Sequence, residues 1–185
     1  MKHVLLLALA LAACQEEVAQ NTDPLPLNPE TVGHFCQMNL LEHEGPKGQV
    51  HLEGLPGTPL FFSQVSDTVA YLRLPEQSHP ILAIWVADMG APGATWADPG
   101  ADNWIDARTA SYVVGAAIEG GMGAPEVVPF ADPAAAEAFA ARHGGNIMGL
   151  DAIPDSAVLA PVTETAEGDG DYGRRLEALS DRAGG

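Results

Sequence analysis

The rhythm of apolar and polar positions changes several times along the chain, and each change marks an element. Val4 to Ala13 is an unbroken run of Val, Leu and Ala. At about ten residues it is too short to cross a hydrocarbon core, which takes roughly 20. Residues 15–31 (QEEVAQNTDPLPLNPET) are acidic, Pro-containing and nearly without aromatics, which predicts a disordered tether. Gly48 to Leu52 and Pro59 to Phe62 read as strands, and Ser63 as the N-cap of a helix from Gln64 to about Leu72. Ile81 to Val86 reads as a buried strand. Ala110 to Ala116 and Glu126 to Phe130 then read as strands, followed by Asp132 as N-cap, Pro133 at the first helical position, a helix to about His143, and Gly144-Gly145 as its stop. Asn146 to Leu150 closes as a strand. PLFFSQVSDTVAYLRLP parallels VVPFADPAAAEAFAARHGG: each places Phe at a strand end, then a cap, a short helix and a turn into a strand. The pattern predicts an α+β fold, a tandem of two ββαβ units with mixed or antiparallel sheets, at residues 32–105 and 106–160. The remainder, 161–185, is a polar, Gly-rich tail whose only periodic piece, Arg174 to Ala183, is a marginal helix.

The beginning of the chain sets the compartment. Lys2 and His3 precede the short apolar run, which is the make-up of a secretory signal over residues 1–13. The run ends in Leu11-Ala12-Ala13-Cys14, which resembles a bacterial lipobox. That resemblance implies cleavage before Cys14 and a lipid on its thiol, holding the protein at the periplasmic side of the envelope. Stable anchoring takes more than one acyl chain. Gln15 is not the aspartate that often retains such proteins in the inner membrane, which favours the outer one. No second long apolar segment follows.

Charge narrows the partners. The chain carries 25 acidic residues against 8 basic ones, so phosphate backbones, which are bound through Lys and Arg, repel it. The same charge is not a sign of disorder, because 46% of the residues are apolar. With Cys14 committed to lipid, Cys36 is the only remaining thiol, and no internal disulfide can form.

The candidate chemistry lies in GHFCQMNLLEHEG. On an extended segment Cys36 and Met38 project to one side, and His34 shares that face. Thiolate and thioether are soft donors that select Cu(I), whereas zinc needs more thiolate or imidazole than this segment offers. By itself the spacing is a weak motif. The plainer alternative makes Met38 a core residue, His34 and His43 surface groups, and Cys36 a buried hydrophobe.

FCQM, together with the lipobox about twenty residues before it, resembles the NosL family, accessory lipoproteins and copper chaperones of nitrous oxide reductase. The likeness continues through ILAIWVAD, WIDARTASYVVG, Gly121-Met122-Gly123 and PEVVPFADPAAAEAFAARHGGNIMGLDAI, covering roughly residues 33–155 in order. It implies a tandem ββαβ fold and a periplasmic, membrane-anchored carrier rather than an enzyme. Such a carrier delivers Cu(I) for the catalytic copper-sulfur centre of nitrous oxide reductase, with the reductase and its membrane-bound maturation complex as partners. Carried over by position, Cys36, Met38 and Met122 are the copper ligands, with His43 as substitute for Met122. Met89, in ADMGAPG, departs from the family pattern and reads as an extra sulfur donor or a loop residue; Met148, Trp85 and Phe139 read as core. The family's fold is also similar to that of organomercurial lyases, but those use two cysteines and an aspartate, and this mature chain has one thiol. No G-x-S-x-G nucleophile elbow supports a hydrolase. A structural lipoprotein with an inert thiol is the remaining alternative.

Overall fold

The computed structural model describes residues 19–75 and 77–159. The signal, Cys14, the tail from 161 and the helix at Arg174 to Ala183 lie outside the described residues. The first unit runs β1 (Gly48–Leu52), β2 (Leu60–Phe62), α1 (Val65–Arg73) and β3 (Ile81–Ala87). After β4 (Trp104–Asp106) come β5 (Ser111–Val114), β6 (Val128–Phe130), α2 (Pro133–His143) and β7 (Asn146–Met148). The sheets have strand orders β2-β1-β3-β4 and β6-β5-β7, and every pairing is antiparallel. The tandem α+β reading holds, and the two units share one topology.

Two boundaries move. The short β4 extends the first sheet by pairing with β3, so a division after residue 105 cuts through a strand. Helix α1 is capped at Gln64, not Ser63, and without a side-chain bond from the cap. Helix α2 follows its local signals: Asp132 accepts the Ala134 N–H, Pro133 occupies the first turn, and Gly144 leaves the helix at φ 74°. The units are not separate bodies. Val50, Phe62, Val65 and Val86 of the first unit form one core with Tyr112, Val114, Val127 and Ile153 from beyond β4, and a smaller core of Val113, Val128, Phe130 and Phe139 lies under α2.

Residues 19–31, expected as a disordered tether, run instead as a strap over β1 and β3. Strand β1 (GQVHL) is buried at all five positions, because the strap covers its polar side. Gln49 holds the strap at both ends of its amide, accepting the Leu25 N–H and donating to the Leu25 carbonyl, each at 3.0 Å. His51 Nε2 meets Gln49 Oε1 at 3.1 Å. The Gln20 amide donates to Leu52 O and accepts from Gly54 N, while the Leu27 N–H bonds Ala101 O and its side chain is buried. Trp85, expected in the core, is half-buried and donates its indole N–H to Thr22 O at 2.8 Å. A polar segment is thus ordered by side chains of the sheet it crosses, together with the one buried leucine of its own, Leu27.

Candidate metal centre

The loop carrying Cys36 is a turn, not the extended segment expected. Val32 and Asn39 pair across its base. Inside, the Gly33 N–H bonds Met38 O at 3.0 Å and the Gln37 N–H bonds Gly33 O at 2.8 Å. Gln37 adopts φ 56°, a left-handed conformation uncommon outside glycine, and its side chain holds the turn by donating to His34 O at 2.7 Å. The His34 N–H fastens the loop to β2 through Phe61 O at 2.6 Å. Strand alternation therefore does not govern which way Cys36 and Met38 point. The Cys36 thiol, free and half-buried, folds back over Gly33: a Cβ on Gly33 would stand 2.5 Å from Cys36 Sγ and 3.1 Å from Leu40 Cδ2. Only glycine leaves that thiol its place. Met38 is 41% exposed. His34, the third member of the expected face, packs its ring edge-on against Phe62 and Tyr71, each at 5.7 Å between centroids.

Met122 sits 44% exposed on a tight turn closed by the Gly123 N–H to Gly120 O bond at 2.9 Å. Its own N–H donates to Gln64 Oε1 at 2.7 Å. Gln64 follows Ser63, whose backbone nitrogen lies 3.8 Å from where a Gly33 Cβ would stand. The junction of β2 and α1 therefore supports both sulfur-bearing loops, the Cys36 loop at Ser63 and the Met122 loop at Gln64. Gly121 is pressed onto the segment after the Cys36 turn, where an added Cβ would lie 2.8 Å from both His43 Cβ and Glu44 O.

His43 Nδ1 meets Gly121 O at 3.3 Å. A carbonyl only accepts, so Nδ1 donates in this contact, and in the matching neutral tautomer Nε2 carries the lone pair. That Nε2 is buried with no hydrogen-bond partner. Metal-binding imidazoles are commonly oriented in this way, by a carbonyl on the other nitrogen. Met89 is elsewhere: its N–H bonds Pro129 O and its side chain packs against the core under α2. It is a packing residue, not an extra donor. Met148 packs against the shared core, as expected.

Two buried titratable groups near these loops carry no sequence signal, one lysine beside glycine and one glutamate among 25 acidic residues. Lys47 is 1% exposed and donates to the carbonyls of Glu44 and Gly45. Burial lowers its pKa to about 8, against the pull of Glu126 and Glu44. Glu126 is 2% exposed, and one oxygen accepts the N–H groups of Ser66 and Val127 while the other is buried without a partner. Burial pushes its carboxyl up to about 8, against the two backbone donors.

Among the described residues no three His, Cys, Asp or Glu side chains gather as a metal group. The loops carrying Cys36 and Met122 both reach the β2–α1 junction, with the Cys36 thiol half-buried and the thioethers of Met38 and Met122 exposed. Thiolate and thioether are donors that favour a soft monovalent ion over zinc or a hard cation.

Comparison with known proteins agrees. The NosL family profile matches residues 24–158. The chain is 57% identical to the copper-binding lipoprotein NosL of Achromobacter cycloclastes over 182 residues, covering 96% of this chain and 94% of that protein. It is 32% identical to the copper-binding lipoprotein NosL of Stutzerimonas stutzeri over 166 residues, covering 88% and 83%. Its fold is similar to the crystal structure of the copper chaperone NosL from Shewanella denitrificans, with a TM-score of 0.67, 29% identity, and coverage of 74% of this chain and 98% of that one. These names describe binding and carriage, not catalysis. With its repeated ββαβ topology, its thiol-bearing turn and a match that spans the described body of the molecule, the chain belongs to the NosL family.

Proposed function

We propose that the protein is a Cu(I) chaperone, anchored by lipid on Cys14 at the periplasmic side of the envelope, with the outer membrane favoured. It carries copper for the catalytic copper-sulfur centre of nitrous oxide reductase, and its partners are the reductase and the membrane-bound complex that matures it. Cys36, Met38 and Met122 hold the ion. The observation that carries this reading is the meeting of the Cys36 and Met122 loops at Ser63–Gln64.

The donor set suits transfer. Cys36 as thiolate neutralises the charge of Cu(I) and forms the strongest soft bond, and binding displaces its proton. The thioethers are neutral and weaker, and both sit on exposed turns. An acceptor thiol or imidazole can replace them one at a time without the ion ever being free. Free Cu(I) is scarce and disproportionates in water, so an oxidising compartment needs such a carrier. An anchor confines the carrier to the surface where a membrane-bound partner sits and raises their effective concentration. With 25 acidic residues, the chain favours a partner with a basic patch and salt-sensitive transfer.

One observation supports a second ligand set: the bare, buried Nε2 of His43 would replace Met122 as the third donor. X-ray absorption of the Cu(I) complex separates the two, since nitrogen and sulfur scatter at different distances. The test of function is the copper content and nitrous oxide turnover of reductase purified from a Cys36→Ala strain grown with limiting copper. The expected result is a folded, exported reductase short of copper at its catalytic centre. Full loading would leave a copper-binding lipoprotein of another use.

A further inference from the structure

We infer that Gln64 is a positioning residue for Met122, the centre of a buried staple that holds the third sulfur donor in register with the Cys36 loop. The inference rests on the reading of Met122 as a copper ligand.

The staple is a continuous run of hydrogen bonds. The Met122 N–H donates to Gln64 Oε1 at 2.7 Å, and Gln64 Nε2 donates to Ser66 Oγ at 2.9 Å. The Ser66 N–H donates to Glu126 Oε1 at 2.9 Å, and the Val127 N–H reaches the same oxygen at 2.8 Å. Residues 122 and 126 are thus tied to each other through residues 64 and 66, some sixty positions away. The loop lies directly on this run. A Cβ on Gly120 would stand 2.6 Å from Glu126 Oε2 and 3.0 Å from Gln64 Cδ.

Two features separate this from ordinary packing. Gln64 occupies the N-cap of α1 yet makes no side-chain cap to its own helix; Glu126, from beyond the Met122 turn, accepts the helix's Ser66 N–H instead. Gln64 is also only 1% exposed. Burying an amide and freezing a glutamine side chain are both unfavourable unless its bonds are made, and the bond it makes to Met122 reaches an otherwise exposed turn. On its other side the same junction supports Gly33, over which the Cys36 thiol folds. Gln64 thereby converts a loop methionine that would wander into a donor set before copper arrives.

The experiment is a double-mutant cycle read by competition with a Cu(I) chelator, on the wild-type protein, Gln64→Leu, Met122→Ala and the double variant. Thermal unfolding of each confirms a folded protein. Gln64→Leu is expected to weaken Cu(I) binding about three- to tenfold, the loss from one side chain no longer held in place. In the Met122→Ala background it should weaken binding no further. The copper–sulfur amplitude in X-ray absorption should fall in Gln64→Leu as it does in Met122→Ala. Ser66→Ala, which removes one bond of the run and no apolar packing, carries the same cycle if Gln64→Leu does not fold. Additive losses, or wild-type affinity in Gln64→Leu beside a weakened Met122→Ala, would overturn this inference alone. Unchanged affinity in Met122→Ala would overturn the ligand reading and this inference with it.

Discussion

Replacing Glu126 by glutamine isolates the energetics of the carboxyl buried under the Met122 turn. The amide keeps an oxygen for the Ser66 and Val127 N–H groups and removes only the ability to ionise. In the folded protein the carboxyl is held up to about 8 from an ordinary 4.5. Between those values the native state keeps a proton that the unfolded chain has lost, so stability falls as pH rises through the window and levels off above it. At 1.36 kcal/mol per pH unit, the full window from 4.5 to about 8 corresponds to about 5 kcal/mol. The part of that window lying between pH 5 and 8.5 amounts to about 3 to 5 kcal/mol. Asp67 on α1 is also pushed up by burial, and its contribution has the same sign in both proteins, so the difference between them reports Glu126. The assay is urea unfolding of the copper-free protein at intervals from pH 5 to 8.5, followed by the fluorescence of its three tryptophans. Wild type and Glu126→Gln should be similar at pH 5, and the variant should be the more stable by about 3 to 5 kcal/mol at pH 8.5. Parallel profiles would mean that Glu126 ionises as it would in water, and would refute the reasoning.

Two further outcomes follow from the site and the anchor. Cys36→Ala should weaken Cu(I) binding by orders of magnitude and Met38→Ala by far less, because thiolate supplies charge as well as a soft bond; equal affinity for wild type and Cys36→Ala in a chelator titration removes the site. Cys14→Ala should leave a protein that is soluble or unprocessed, and recovery of the processed variant with membranes would contradict lipid anchoring.

Locally encoded features were legible from the sequence, and features held by distant partners were not. Helix α2 has its start and stop within thirteen residues, in Asp132, Pro133 and Gly144, and folds where those signals place it. The topology repeats because the strand-cap-helix-strand order repeats. Strand β4 is three residues long, too short to show a period, and exists because β3 offers it an edge. The strap over β1 was misread for a related reason: its composition is that of a disordered segment, and it is ordered by partners more than twenty residues away, Gln49 and Trp85 among them. At the candidate site, resemblance supplies Cys36, Met38 and Met122 as proposed ligands, but the turn at Cys36 was not legible, since Gln37 is an unexpected left-handed residue. No spacing rule could have found Gln64, whose bond to Met122 spans 58 positions, and Met89 could be taken for a donor only while its packing was unseen.

The strap would also set the length of a lipid leash, if Cys14 carries one. Were residues 15–31 free, a lipid on Cys14 would hold the body on a line of about 60 Å at full stretch, enough to swing widely. Were Cys14 the lipid anchor, with Gln20 bonded to Leu52 and Gly54 and the run through Leu27 laid along the sheet, the residues from Cys14 to Ala19 could span at most about 17 Å. A head moored on such a leash would stay close to the bilayer and would not trawl the compartment for a partner. Copper would change hands within a thin layer against the membrane, and lengthening the leash would dilute the encounter without touching a single ligand.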